Sequence, residues 1–262
     1  MDKDKIINVG GNIENAVQGQ YSIDVKAVLQ EAWSITLTSR LPIVVGALVC
    51  IILTLVIVFM ASSYFGGVEK AFADMQAQYV INILVTLIVS PFIASLEMMG
   101  VYHAVGLKTQ SKLVVSFLSK SAMIAICALL SSTLTSLGFN LLILPGIFLL
   151  VTLSLAIPLV IEKNMMPLKA IILSVKAVRF QFFKLLAIYA ILIMALCGAT
   201  LPLLLLFQTG FAMVGVVFLI FSFTYLAPLF YNTKGILYRE IFGVQLNASE
   251  APTHNGSGNF SA

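Results

Sequence analysis

Charge is scarce in this chain, and so are histidine, tryptophan and cysteine. Asp, Glu, Lys and Arg together make up 10% of the 262 residues, which include two His, one Trp and three Cys. A typical soluble domain has about a quarter of its residues charged. So few ionisable groups cannot give most of the chain a water-exposed surface, and we therefore exclude a soluble globular protein.

The shortage of His and Cys also excludes several kinds of site. Cys50, Cys127 and Cys197 lie in three different apolar runs, without a CxxC spacing or a neighbouring His, so zinc ligation is not expected. The sequence contains no HExxH, GxSxG, Walker-type or dinucleotide-binding motif. We therefore predict that the protein is not an enzyme and that it holds no metal and no cofactor.

What the chain has in abundance is long apolar runs. Hydrophobic residues make up 60% of it, and the mean hydropathy is +1.04. Six runs have about the 20 residues that a helix needs to cross the bilayer, and no strict alternation points to barrel strands. The sequence predicts an all-α polytopic membrane protein with six transmembrane helices. The runs are Ile43 to Tyr64, Tyr79 to Leu107, Leu113 to Leu137, Leu141 to Ile161, Phe183 to Phe207 and Phe211 to Tyr231.

The basic residues indicate the orientation of these helices. The net charge of +4 is spread between the spans and not clustered on a soluble face, so nucleic acid is not an expected partner. With the N-terminus in the cytoplasm, only Lys70 of the 15 Lys and Arg residues falls outside, as the positive-inside rule requires. We predict that both termini are cytoplasmic. The predicted cytoplasmic basic residues are Lys3, Lys5, Lys26, Arg40, Lys108, Lys112, Lys120, Lys163, Lys169, Lys176, Arg179, Lys184, Lys234 and Arg239.

Two cytoplasmic segments have the pattern of amphipathic helices that lie in the membrane interface. In the first, Ser22 is a candidate cap and Asp24 suits the N-terminal helix dipole. Its predicted apolar face consists of Val25, Val28, Leu29, Ala32 and Thr36.

The second segment begins at Pro167, and its basic residues are candidate contacts of anionic lipid headgroups. The alternative is an ordinary connecting helix that packs against the bundle. The predicted apolar face consists of Leu168, Ile171, Val175, Val178 and Phe182. The candidate headgroup contacts are Lys169, Lys176 and Arg179.

Composition divides the chain into three parts. Residues 1–21 precede the first amphipathic pattern and are expected to form a flexible segment. Residues 22–243 form the predicted six-helix membrane domain. Residues 244–262 are rich in Asn, Ser and Gly, and we expect this tail to be disordered because it has no apolar face to bury.

Glu97 is the one clear charge inside a predicted span. It lies roughly 15 Å of helix before Lys108, in the inner half of the bilayer, and a charge there is costly unless it is paired or wetted. One interpretation is a carboxylate that lines a pathway for protons or cations; the other is a carboxyl group that bonds to a neighbouring span. Glu97 belongs to a polar stripe on the second span, which consists of Tyr79, Asn82, Thr86, Ser90 and Glu97.

Two further features concern helix packing. The third span carries a stripe of small residues that permits close helix contact and allows a homo-oligomer or a membrane-protein partner. The fourth span contains Pro145 and Pro158, which either kink the helix around a cavity or mark its start and end. The small residues are Ser121, Ala125, Ala128, Ser132 and Ser136.

Short segments across the chain carry a family resemblance. They are Glu31–Trp33, Leu144–Phe148, Ala156–Glu162, Pro167–Ala170, Ser174–Lys184, Tyr225–Pro228 and Leu237–Arg239. Together they resemble the YciC-like bacterial inner-membrane proteins and the membrane domain fused to some bacterial glycerophosphodiester phosphodiesterases. The resemblance implies a six-helix domain in a bacterial inner membrane, without agreed catalytic residues, and no phosphodiesterase activity is carried over.

Two functions follow as hypotheses. In the first, the protein is a non-enzymatic accessory or scaffold that associates with anionic membrane lipid through its basic helices. In the second, it transports a small solute or lipid along the polar stripe around Glu97. A continuous wet cavity that reaches Glu97 distinguishes the two, because transport requires one and a scaffold does not.

Overall fold

The computed structural model describes residues 6–207 and 209–247, which are almost entirely helical. The α-helices are α1 (Ile13–Gln18), α2 (Val25–Ser39), α3 (Leu41–Tyr64), α4 (Val68–Ala73), α5 (Met75–Ala104), α6 (Ser121–Leu141), α7 (Ile143–Thr152), α8 (Ala156–Glu162), α9 (Pro167–Val178), α10 (Phe182–Leu206) and α11 (Ala212–Phe242). The strands are β1 (Ile6–Val9) and β2 (Val244–Asn247), and short 3-10 helices span Ser111–Val115, Leu118–Lys120 and Arg179–Gln181.

The predicted fold class is confirmed. Among the described residues, six helical segments are long and apolar enough to cross a membrane, and each overlaps one of the predicted runs. The chain is therefore an all-α, multi-pass membrane protein. The segments are Leu41–Tyr64, Met75–Ala104, Ser111–Leu141, Ile143–Glu162, Pro167–Leu206 and Ala212–Phe242.

The fourth span is broken, but not at its prolines. Pro145 and Pro158 both lie in first turns, of α7 and α8, where a missing N–H costs no helical hydrogen bond. The break falls between them, at residues 153–155. There the Ser154 hydroxyl donates to the carbonyl of Val151 and accepts from Tyr189, at 2.9 Å. The prolines are thus helix-start signals, and hydroxyl groups satisfy the interrupted backbone.

The sixth span continues well beyond its predicted end at Tyr231. Helix α11 runs on to Phe242, and Asn232 to Tyr238 are all buried. This extension, with the C-terminal part of α5, is surrounded by α1, α2, α8 and α9, whose apolar residues join one continuous core. We call this packed region the terminal layer, because both chain ends emerge from it. Away from it, the long helices expose large apolar side chains, as lipid-facing helices do.

The two ends of the described chain meet in a small antiparallel sheet. Strand β1 pairs with β2 so that Val9 lies opposite Val244, and the side chains of Val244 and Leu246 are buried in the core. The two ends of the described chain therefore lie on the same side of the membrane domain, as an even number of crossings requires.

This sheet departs from the predicted division of the chain. Helix α1 has an Asn12 cap and a buried Ala16, so residues 6–21 are not a flexible segment, and β2 extends the ordered domain to Asn247. Composition missed these elements because each is short and is stabilised by distant parts of the chain. The rest of the predicted disordered tail, residues 248–262, lies outside the described residues.

Helices α5 and α11 cross at two glycines. A Cβ atom on Gly100 would overlap the carbonyl of Tyr231, and one on Gly235 would overlap the carbonyl of Gly100. Backbone therefore touches backbone at this crossing, which only residues without side chains allow. As a result, polar side chains near the glycines of α5 and α11 come within hydrogen-bonding distance of each other.

We predict that Gly100→Ala lowers the melting temperature of the detergent-purified protein by several degrees. The added methyl group forces α5 and α11 apart, although alanine in a helix interior otherwise stabilises by roughly 0.5–1 kcal/mol relative to glycine. The matched control is Gly198→Ala in α10, where a Cβ would meet nothing within 4 Å, and this variant should melt at or above the wild-type temperature. Equal melting of the two variants would refute close contact at the crossing.

Candidate functional site

A buried ion pair joins α5 to α11 just beside the glycine crossing. Lys234 Nζ lies 2.5 Å from Glu97 Oε1, and the two residues are only 7% and 4% exposed. The second carboxylate oxygen, Oε2, is buried and has no hydrogen-bond partner among the described residues. Glu97 is therefore a paired intramembrane carboxylate, and the pairing offsets much of the cost of burying each charge.

Lys234 is the partner of Glu97, and the sequence alone does not identify it. It was assigned to a cytoplasmic segment after the sixth span, whereas it lies inside α11 and points into the terminal layer. Apolar residues continue at helical spacing beyond it, at Ile236, Leu237 and Ile241, and all three are buried. That continued periodicity was the signal that the helix does not end at Tyr231.

A second polar connection lies one turn away and ties three helices together. His103 Nδ1 lies 2.9 Å from Asn232 Oδ1, and the Asn232 amide nitrogen donates to Thr36 Oγ1 of α2 at 3.0 Å. The other ring nitrogen of His103 lies 2.7 Å from Thr109 Oγ1. Both histidine nitrogens are thus engaged within this network.

A third connection holds α2 against the end of α11. The Arg239 guanidinium makes a two-point contact with Glu31, at 2.6 and 2.9 Å, and it also donates to the carbonyl of Ala104 at the end of α5. Glu240 accepts two further bonds from the same guanidinium. One arginine therefore joins α2, α5 and α11, which suits the planar, five-donor geometry of its side chain.

The structure separates the polar stripe of the second span into three parts. Tyr79 and Asn82 are exposed, and Asn82 Oδ1 accepts a 3.3 Å bond from the half-buried Thr86. Ser90 is buried without a hydrogen-bond partner among the described residues. Glu97 bonds to Lys234. The five residues share a helix face, but the structure does not join them by hydrogen bonds into one chain.

Two cavities lie near Glu97 without being lined by it. One, of about 510 Å³, is almost wholly apolar and lies between α3, α5, α10 and α11. The other, of about 430 Å³, lies in the terminal layer beside Lys120, Glu162 and Asn164. The wet passage that transport would need is therefore not formed by either of them in this conformation.

Helix α9 packs against the bundle and also has an outward-facing amphipathic surface. Its buried residues include Ile171, Ser174 and Val178, and the Ser174 hydroxyl donates to the carbonyl of Thr152. The predicted apolar face of α9 is divided between interior and surface, because Ile171 and Val178 are buried whereas Leu168 is 62% exposed. The side chains that α9 and the adjoining turn expose, apolar and basic together, are Met166, Leu168, Lys169, Ile172, Lys176, Arg179 and Phe180.

Helix α2 buries part of its predicted apolar face, and its cap is not the predicted Ser22. Val28, Ala32 and Thr36 are buried on the predicted face. The Asp24 carboxylate, not Ser22, caps the helix by accepting from the amides of Lys26 and Ala27, at 2.9 and 3.2 Å. A carboxylate is the stronger cap here because it also interacts favourably with the helix dipole.

Charges on the terminal layer are distributed unequally between the surface and the interior. Glu31 and Glu240 bond to Arg239, and Glu162 bonds to Lys163, Tyr238 and the amide of Gln245. Most basic side chains of the layer are instead exposed. These three acids are paired internally, whereas Glu14 and the capping Asp24 are exposed, so the exposed surface carries an excess of positive charge. The exposed basic residues are Lys26, Lys108, Lys112, Lys169, Lys176, Arg179 and Lys184.

Tyr21 anchors the N-terminal segment to α9. Its hydroxyl donates to the carbonyl of Ala177 at 2.8 Å, and the Gln181 side chain donates to the Tyr21 carbonyl. Burial raises the pKa of Tyr21 to about 12, because the interior disfavours the charged phenolate. The hydroxyl therefore stays protonated, and remains a donor, throughout the physiological pH range.

No metal centre and no known relative add to this picture. Among the described residues, no three His, Cys, Asp or Glu side chains lie together in a way that could hold a metal ion. No protein-family model, curated protein or solved structure matches the chain.

We predict that Glu97→Gln destabilises the protein strongly, by roughly 3–5 kcal/mol, because it leaves the Lys234 ammonium buried without a counter-charge. Lys234→Met should also destabilise the protein strongly, because it leaves the Glu97 carboxylate buried without a counter-charge. The double variant Glu97→Gln, Lys234→Met should lose clearly less than the sum of the two single variants, since no unpaired charge remains. Thermal melting in detergent gives the three values.

The control for that cycle is Glu69→Gln, which removes an exposed carboxylate at the other end of the bundle and should leave the melting temperature unchanged. Strict additivity of the Glu97 and Lys234 substitutions would contradict a direct interaction between the two side chains.

Proposed function

We propose that this chain is a non-enzymatic accessory or scaffold protein of a bacterial inner membrane, and that it gathers anionic lipid at its cytoplasmic face. The observation on which the proposal rests is that acidic and basic side chains of the terminal layer differ in their exposure. Its acidic side chains are mostly bonded internally, whereas its basic side chains remain exposed at the level where spans begin and end.

The exposed surface of α9 and the turn after it is suited to the interface between headgroups and hydrocarbon. Leu168 and Ile172 can enter the apolar boundary, while Lys169, Lys176 and Arg179 reach the headgroups. Each such cation near an anionic surface contributes about 1 kcal/mol of attraction. Several together are enough to enrich anionic lipid around this part of the protein.

Transport of a small solute or lipid past Glu97 has less support. The carboxylate is paired and nearly inaccessible, and its stripe partners Tyr79 and Asn82 lie on the exposed surface. A transport cycle would have to open the Glu97–Lys234 contact and admit water beside it.

Location in a bacterial inner membrane rests on the YciC-like resemblance, and cytoplasmic termini rest on the basic residues. The pairing of β1 with β2 supports one part of that topology, namely that both ends of the described chain lie on the same side of the membrane. Apart from Lys70, the exposed basic residues of the described chain belong to the terminal layer or the adjoining span ends. From the positive-inside rule we infer that this side faces the cytoplasm.

We predict that neutralising Lys169, Lys176 and Arg179 to Gln lowers the enrichment of anionic lipid around the protein at least about threefold. The protein is reconstituted into nanodiscs of equal parts phosphatidylglycerol and phosphatidylcholine, and resonance energy transfer from Trp33 to headgroup-labelled phosphatidylglycerol reports the enrichment. The wild-type signal should also fall with added salt, because exposed charges are screened.

The matched control is Lys70→Gln, which removes one exposed cation from the opposite side of the bundle and should leave the enrichment unchanged. Equal enrichment for wild type and the triple variant would remove the lipid-gathering role.

A separate prediction concerns topology. Alkaline phosphatase, which is active only outside the cytoplasm, should be inactive when fused after Asn247 and active when fused in the connection at Gly67. A fluorescent protein that matures in the cytoplasm should show the reverse pattern. Active phosphatase at the C-terminal fusion would overturn the proposed orientation.

A further inference from the structure

The apolar cavity of about 510 Å³ between α3, α5, α10 and α11 is a groove with a buried floor and an exposed rim. Val89 and Leu96 of α5 form part of the floor and are 2% and 1% exposed. Leu55 of α3 and Leu196 of α10 stand at the rim and are exposed. The groove therefore opens sideways, between α3 and α10, to the medium that surrounds the spans.

The groove runs along the helices for about eight residues, or roughly 12 Å. On α11 it extends from Phe223 to Tyr231, and on α3 from Ala47 to Leu55. Its Tyr231 end lies next to the Gly100–Gly235 crossing, where α5 and α11 are in backbone contact. That contact fixes the separation of α5 and α11 at this end of the groove.

We propose that this groove holds one acyl chain of a membrane glycerolipid, with an ester carbonyl of the lipid accepting a hydrogen bond from the Tyr231 hydroxyl. Tyr231 lines the groove, and no hydrogen bond from another described residue reaches its hydroxyl. It is thus a free donor at one end of an otherwise apolar channel. This site is separate from the basic surface of the terminal layer and does not depend on the proposed function.

Other occupants fit less well. Water needs two to four polar partners, and the apolar walls do not supply them. A partner helix is 10–12 Å across, so over the same length it would need roughly 900 Å³ or more, well above the volume present. An empty groove would lose the dispersion contacts of all its wall atoms. Within a bilayer, a hydrocarbon chain restores those contacts.

The test uses the full chain in phosphatidylcholine nanodiscs that contain a trace of phosphatidylcholine with a diazirine in its acyl chain. Bulk lipid cannot reach the floor of the groove, so labelling of the α5 peptide that contains Val89 to Leu96 reports occupancy. We expect labelling on that segment of wild-type protein. Ala227→Trp, which fills the groove, should reduce it at least roughly fivefold.

Val217→Trp is the matched control, because it adds the same side chain to an exposed position of α11 and should leave floor labelling unchanged. The Lys169, Lys176 and Arg179 triple variant should also label normally, which separates this site from the basic surface. Tyr231→Phe should lower floor labelling about twofold or more, and unchanged labelling would overturn the contact with Tyr231.

Label confined to exposed rim and lipid-facing side chains of the wild-type protein would overturn the proposal whether or not Ala227→Trp folds. Dimers trapped by a separate bifunctional crosslinker, with the groove unlabelled, would do the same, by showing that a second copy covers it.

Discussion

The closest approach of two long helices, at Gly100 and Gly235, sets the geometry of the rest of the molecule. Helices α5 and α11 touch through their backbones there, so side chains immediately before and after the glycines are forced into short range. Glu97 meets Lys234 on one side, and His103 meets Asn232 on the other. Each of these polar groups would be costly to bury alone, and each is buried with a partner that the crossing supplies.

The same crossing explains why the two ends of the bundle differ. On the terminal side, α5 and α11 are surrounded by short helices whose apolar residues complete a core, and Arg239 links α2 to both long helices. Away from that side the spans diverge and present apolar side chains to their surroundings. Such a difference is expected where one end of a bundle excludes solvent by protein packing and the other end relies on lipid, since lipid chains are as apolar as the side chains they contact.

Sequence reasoning recovers the features that depend on long, local patterns. Six apolar runs, the helical period of α2 and the intramembrane position of Glu97 can all be read without a structure, because each is encoded over many neighbouring residues. The broken fourth span was expected only as a proline effect, whereas its break at residues 153–155 is stabilised by Tyr189 and Ser174 from other helices. Sheet β1–β2 was missed because its two strands are more than 200 residues apart and each has only four residues.

The candidate site also depends on contacts between residues that are distant in the sequence. Glu97 can be identified from the sequence as a charge in need of a partner, but choosing Lys234 among 15 basic residues requires the three-dimensional crossing. Hydropathy alone ends the sixth span before Lys234 and so assigns its charge to water. The apolar face of α9 is divided for a related reason: the small residues Ala170, Ser174 and Ala177 let α9 approach the bundle, and Leu168 is left exposed.

The exposed apolar residues of α9 lie beside exposed cations, and the pairing of the nearby acids determines how much of that positive charge is cancelled. If Glu31, Glu162 and Glu240 were free at the surface, they would cancel much of the field of the nearby lysines and arginines. Their internal bonds remove that cancellation, and they stabilise the terminal layer at the same time. The protein thus obtains a cationic, partly apolar surface without an extra basic domain, from the way a small number of charges is divided between interior and surface. That division, and not the total charge, is the basis of the proposed association with anionic lipid.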